Sequence, residues 1–105
     1  MAIQEIPTVV YVTYQGDADA WFDREYYVTG HLPLVMKAWK QYGLLSASAF
    51  FPAEHRAGTV AICECVFRDD DAVDAAFASA ELTEVMADLV RFTHLQPVRV
   101  RATLL

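Results

Sequence analysis

The stretch Asp23 to Trp39, DREYYVTGHLPLVMKAW, sets an acid, a phenol and an imidazole four residues apart, at Asp23, Tyr27 and His31. On a continuous helix these three positions share one stripe. An imidazole near its unperturbed pKa is the usual acid/base group at neutral pH, so the stripe is a candidate for proton transfer or for orienting a ligand. Gly30 and Pro33 flank the histidine. Pro33 offers no N–H to the carbonyl of Thr29 and its ring crowds that carbonyl, so a kink is expected there, with Gly30 letting the backbone absorb the bend. The kink would aim His31 inward. It would equally serve to wrap the helix around a twisted sheet, with His31 as a hydrogen-bonded structural residue, and the sequence leaves both readings open.

Two other groups can carry chemistry. Cys63 and Cys65 are spaced C-x-C in a strand-like run, where they point the same way and are poorly placed for a disulfide. A structural zinc site wants four ligands and no second cysteine pair exists, so no metal is expected. Buried, inert thiols are the commoner case; a single acid/base cysteine facing His31 is the alternative. Glu64 interrupts the apolar pattern between the cysteines, and a carboxylate there is costly unless paired. Arg99 and Arg101 alternate with Val98 and Val100, so an ion pair between Glu64 and one of these arginines, at a subunit interface, is the expected partnership; a polar group lining a barrel cavity is the alternative.

The elements that must position these groups follow from turn and cap signals. Ile6 to Tyr14 is β-branched and aromatic and ends in the turn cluster Gln15-Gly16-Asp17. Asp17 or Asp19 can cap a helix running over residues 19–41, which Gly43 closes as a left-handed C′ residue. Leu44 to Pro52 and Thr59 to Phe67 read as strands joined by the polar connection AEHRAG. Asp69-Asp70-Asp71 suits the N-terminus of a helix. That helix is expected in two pieces, 70–78 and 80–91, with Ser79 as the second N-cap, and Pro97 to Leu104 is the last strand. The order β-α-β-β-α-β is that of the ferredoxin-like α+β fold, a four-stranded antiparallel sheet with helices on one face.

Composition limits what this fold can do. The chain has 105 residues, which suits a single domain over 1–105. It is 55% hydrophobic, above the usual ~45–50%, so a subunit interface or an apolar pocket is expected. The third strand is apolar on both faces, and two helices cover only one. A second copy packed sheet against sheet, as a dimeric α+β barrel, covers the other.

The net charge of −6 with no basic run argues against nucleic acid or an anionic membrane as a partner. No apolar run reaches the ~18 residues of a membrane span, and Met-Ala-Ile-Gln-Glu-Ile-Pro does not read as a signal peptide. A cytoplasmic protein is expected. No Gly-rich phosphate loop is present, so no nucleotide cofactor is implied.

The segment FDREYYVTGHLPLVMKAWKQYGL resembles the N-terminal signature of EthD-domain proteins, in which Phe-Asp, a Tyr-Tyr pair, His-x-Pro-Leu-Val, a Trp and Tyr-Gly-Leu come in this order. ECVFRDDDAVDAAFAS followed by VMADLVRFTHLQPV is similar to the second half of that family. The resemblance covers nearly the whole chain and marks Phe22, Asp23, Tyr27, His31, Pro33 and Trp39, then Asp88 and Phe92, as family-type positions. It implies a dimeric α+β barrel of the kind found beside ether-degrading monooxygenases and in aromatic polyketide or catabolic pathways. The ligand expected is small and hydrophobic or aromatic. His31, Tyr27 and Asp88 are the candidate catalytic residues; Phe22, Trp39, Tyr11, Phe92 and Cys65 are the candidate lining residues. A cofactor-free proton transfer, such as an isomerisation, lactone rearrangement or dehydration, fits this set. A non-catalytic ligand-binding accessory protein of a monooxygenase system needs the same pocket, and the sequence does not choose between them.

Overall fold

A computed structural model describes residues 6–104; most of the N-terminal stretch read for a targeting signal, and Leu105, lie outside the described residues. β1 (Thr8–Gly16) is followed by a helical segment of several parts: α1 (Arg24–Tyr26), a π turn (Tyr27–His31), α2 (Leu32–Trp39) and a 3-10 turn (Lys40–Tyr42). β2 (Leu44–Phe50) and β3 (Gly58–Phe67) form a hairpin, α3 (Asp70–Phe77) and α4 (Leu82–Ala87) come next, and a 3-10 turn (Asp88–Arg91) leads to β4 (Pro97–Ala102). The sheet has four strands in the order β2-β3-β1-β4, with every neighbouring pair antiparallel. This is the ferredoxin-like α+β arrangement.

The elements end where local chemistry says they should, with two exceptions. Asp69 caps α3, its Oδ1 accepting from Ala72 N–H at 2.8 Å. Gly43 takes φ 110° and turns the chain from the helix into β2, a conformation that costs other residues more. The first exception is the start of the first helix, which begins at Arg24 rather than residue 19. Its N-cap is Asp23, whose Oδ1 accepts from Tyr26 N–H at 3.0 Å. Phe22 is held extended by a bridge to Thr93, and Asp23 N–H donates to the Phe92 carbonyl at 2.8 Å, so a long-range pairing overrides the local helix signal. The second is Ser79. Its hydroxyl donates back to the Ala76 carbonyl at 2.6 Å instead of capping α4, which has no side-chain cap.

Strand alternation divides the sheet. Ala61, Cys63, Cys65 and Phe67 of β3 and Val10 and Tyr14 of β1 are buried beneath the helices. The register pairs Tyr11 with Glu64 and with Val100 on the opposite face, where Phe50, Val98 and Val100 are about half exposed. Arg99 and Arg101 pair with Val12 and Val10 and therefore lie on the helix side. The expected Glu64–arginine pair does not form: the two signs sit on opposite faces of the sheet. Glu64 instead accepts from the Tyr11 hydroxyl at 3.0 Å, and Arg101 pairs with Asp70 and Asp74 of α3.

Candidate functional site

Where the sequence suggested a kink, the backbone widens into a π turn, in which Leu32 N–H donates to the carbonyl of Tyr27. Such single wide turns recur at functional sites. Pro33 falls in the first turn of α2, where a missing N–H costs least. Gly30 is needed for a different reason from the one its backbone freedom suggested. Its φ is not positive; a Cβ there would meet Tyr26 Cε2 at 2.6 Å.

The π turn stacks His31 on Tyr27, with ring centroids 5.3 Å apart and planes 25° apart. Phe92 packs against the imidazole at 4.6 Å and against the Tyr27 ring at 4.8 Å, so the three rings form one cluster. His31 is 4% exposed. Its Nδ1–H donates to Asp88 Oδ2 at 2.9 Å, from the 3-10 turn that follows α4. The other carboxylate oxygen accepts from the Tyr26 hydroxyl at 2.8 Å and forms an ion pair with Arg91, Nε at 3.3 Å. Burial lowers the His31 pKa below the ordinary 6.5, and the hydrogen bond to Asp88 opposes this. The imidazole is therefore neutral at neutral pH, its Nδ1 committed to Asp88 and its Nε2 the nitrogen left for a ligand.

His31 lines a cavity of about 240 Å³ between the helices and the sheet. The sheet contributes Val12, Tyr14, Cys63 and Cys65, and the first helical segment adds Tyr27, Leu32, Val35 and Trp39. Leu82, Val85 and Leu89 close the side opposite, and Gln96, Pro97 and Arg99 form a rim from β4. Burial pushes the phenols of Tyr14 and Tyr27 well above their usual range, so both are neutral donors. The thiols of Cys63 and Cys65 lie 3.6 Å apart; the hydrogen bond between them, with burial, pushes Cys65 up. Trp39 Nε1 is buried with no hydrogen-bond partner among the described residues. Among the described residues no three histidine, cysteine or acidic side chains gather closely enough to hold a metal ion, and no helix is long and apolar enough to cross a membrane.

Of the residues the sequence singled out, the fold brings Tyr27, His31, Trp39 and Cys65 to the cavity wall and sets Asp88 directly behind His31. Phe92, fully buried, backs the imidazole without lining the cavity. Phe22 packs against Tyr14, Tyr27 and Phe92 at 5.1–5.3 Å and likewise supports the wall from outside. Tyr11 is not part of the site, because odd positions of β1 face away from the helices. Nor is Asp23, whose carboxylate caps the helix; the acid that His31 meets comes from 57 residues away. Tyr14 was not among the residues the sequence singled out, and Arg99 was read there as an ion-pair partner of Glu64 or a polar group lining a barrel cavity. Tyr14 shares strand parity with Val10 and Val12 and could have been found that way, whereas the facing of Arg99 depends on the β1–β4 register.

No protein-family model matches the chain, and no curated protein matches it. Solved structures do. An EthD-like protein from Ralstonia eutropha JMP134 superposes with a TM-score of 0.80 at 21% identity, over 95% of this chain and 92% of that one. An ethyl tert-butyl ether degradation (EthD) family protein from Bacillus halodurans C-125 gives 0.67 at 17% identity, over 93% and 100%. A putative antibiotic biosynthesis monooxygenase from Nitrosomonas europaea gives 0.58 at 10% identity, over 100% and 96%. At such identities the likeness is one of architecture, and the chain has the ferredoxin-like α+β fold of the EthD-like proteins.

Proposed function

We propose that the chain is an EthD-type protein that binds a small hydrophobic or aromatic metabolite in the helix–sheet cavity and moves a proton on it without a cofactor. The observation that carries this reading is the His31–Asp88 hydrogen bond of 2.9 Å behind a cavity walled mainly by apolar and aromatic groups, with Gln96 and Arg99 at its rim. A buried, neutral imidazole whose tautomer is fixed by a carboxylate is a general base, and an apolar surround keeps water from competing for its lone pair. Tyr27 and Tyr14 are neutral hydroxyl donors on the same wall, suited to hydrogen-bonding the oxygen of a carbonyl as it becomes an enolate. Isomerisation, lactone rearrangement and dehydration all begin with such a proton abstraction.

The working unit in this reading is a homodimer. The sheet face away from the helices carries Phe50, Val98 and Val100, each 50–53% exposed, and the helices of the same chain do not reach it. A second sheet laid on this face would bury them.

Deuterium incorporation into an aromatic ketone with an acidic α-carbon, 2-tetralone, followed by NMR in heavy water, tests the chemistry. Saturable exchange above the solvent rate, lost in His31→Gln, is the expected result. Saturable binding of the ketone with no catalysed exchange would replace the enzymatic reading with that of a ligand-binding accessory protein.

A further inference from the structure

Among the described residues the cavity has one charged side chain on its wall, Arg99. Its guanidinium carbon sits 4.1 Å above the Phe77 ring, and among the described residues no carboxylate lies within ion-pair distance of it. The contrast is two residues away. Arg101 occupies the next position on the same face of β4 and is held by Asp70 at 3.2 Å and Asp74 at 2.8 Å. In a chain with 14 acidic and 8 basic side chains, acids outnumber their partners, yet among the described residues none of them pairs with this arginine on the cavity wall. Contact with the Phe77 ring braces the exposed guanidinium, and with no hydrogen bond to another described residue its N–H edges are open to a carboxylate, which arginine binds through two parallel hydrogen bonds.

The other polar groups on the wall, among them His31, Tyr14, Tyr27 and Gln96, are neutral. His31 belongs to the first helical segment and Arg99 to β4, so a ligand spanning the cavity would meet a base at one end and a fixed positive charge at the rim. The volume of about 240 Å³ lies just under the ~300–1,000 Å³ of drug-sized pockets, which suits a body of one or two fused rings. We propose, resting on the reading of this cavity as a ligand site, that its ligand is an aromatic organic anion whose carboxylate, or equivalent ionised oxygen, is held by Arg99 away from the carbon that reacts at His31. Arg99 is then a binding residue that sets specificity and register. Its energy comes from a part of the ligand that does not react.

Titration of 2-naphthoate and its neutral isostere 2-naphthamide, read by tryptophan fluorescence, tests this, with Arg99→Met keeping the apolar stem on Phe77. The wild-type protein is expected to bind the naphthoate at least about tenfold more tightly than the amide. Arg99→Met should bring the two affinities together while binding of the amide persists. Equal affinities in the wild-type protein, or a preference for the acid that survives Arg99→Met, overturns the assignment of Arg99 and leaves the cavity as a site for neutral ligands. Failure of both ligands to bind overturns the cavity reading itself, and the anion proposal with it.

Discussion

The ring of Tyr26 lies across the α-carbon of Gly30, so close that a Cβ would come within 2.6 Å of its Cε2. From that position the Tyr26 hydroxyl reaches Asp88, the carboxylate that fixes His31. A residue without a side chain is thus coupled to the imidazole through two hydrogen bonds.

Gly30→Ala should therefore act on the site more than on the fold. The ring of Tyr26 can swing away, and alanine favours the helix by about 1 kcal/mol over glycine, so the thermal midpoint should change little. With its phenolic donor lost, Asp88 becomes a stronger acceptor for His31 and the imidazole pKa should rise towards 6.5. Tyr26→Phe should produce the same rise. NMR titration of His31 in both variants checks this; an unchanged His31 pKa in Tyr26→Phe would break the proposed coupling.

The depressed pKa of His31 fixes the sign of the pH dependence. The folded protein excludes the charged imidazole, so between the depressed value and 6.5 the unfolded chain binds more protons. Stability should be full above 6.5 and decline as pH falls through that window. Base catalysis should be lost on the same acid side, with an inflection below 6.5. Asp88→Asn removes the partner that raises the pKa and should move the inflection lower still. Denaturation midpoints and exchange rates between pH 4 and pH 8 give both readings.

His31→Ala should cost both function and stability. The ring packs against both Tyr27 and Phe92 and satisfies Asp88, so its removal leaves a gap and a weakened hydrogen-bond set, worth about 1–3 kcal/mol. His31→Gln keeps more of the volume. If denaturant unfolding shows Gln restoring the stability while ketone exchange stays absent, the imidazole serves chemistry beyond packing.

The thiols should be slow to react. Cys63 and Cys65 are each 3% exposed, so a reagent has little access to either sulfur; the hydrogen bond between them pushes Cys65 up and Cys63 down, which leaves access as the barrier. Labelling of the native protein by a disulfide reagent should lag far behind labelling in denaturant. A bound cavity ligand should slow it further, and rapid native labelling would contradict the burial.

The open sheet face predicts assembly. Light scattering at micromolar concentration should return twice 11.8 kDa. Val100→Asp should shift the mass to that of a monomer while leaving α-helical circular dichroism in place, and a monomeric wild-type protein would exclude the barrel.

The sequence by itself determined the order of elements, the caps at Asp69 and Gly43, and the two-sided apolar character of β3, because these depend on period, turn chemistry and local hydrogen bonds. It also singled out His31 and Asp88, through the resemblance of their segments to a known family. What only the tertiary structure decided is which groups meet. Glu64 and the two arginines were assigned to each other from alternation within each strand, but facing across a sheet is set by register between strands, which put them on opposite sides. Tyr11 left the site for the same reason, and Arg99 entered it. The helical stripe set Asp23 two turns from His31, but the acid that meets the imidazole is Asp88, which only the family resemblance had marked. Asp23 was already held as a cap by the backbone that Phe22 and Thr93 lock in place. Local patterns prescribe the elements; the register of strands and the docking of helices, which cost and return energy only once the whole core closes, determine what each side chain touches.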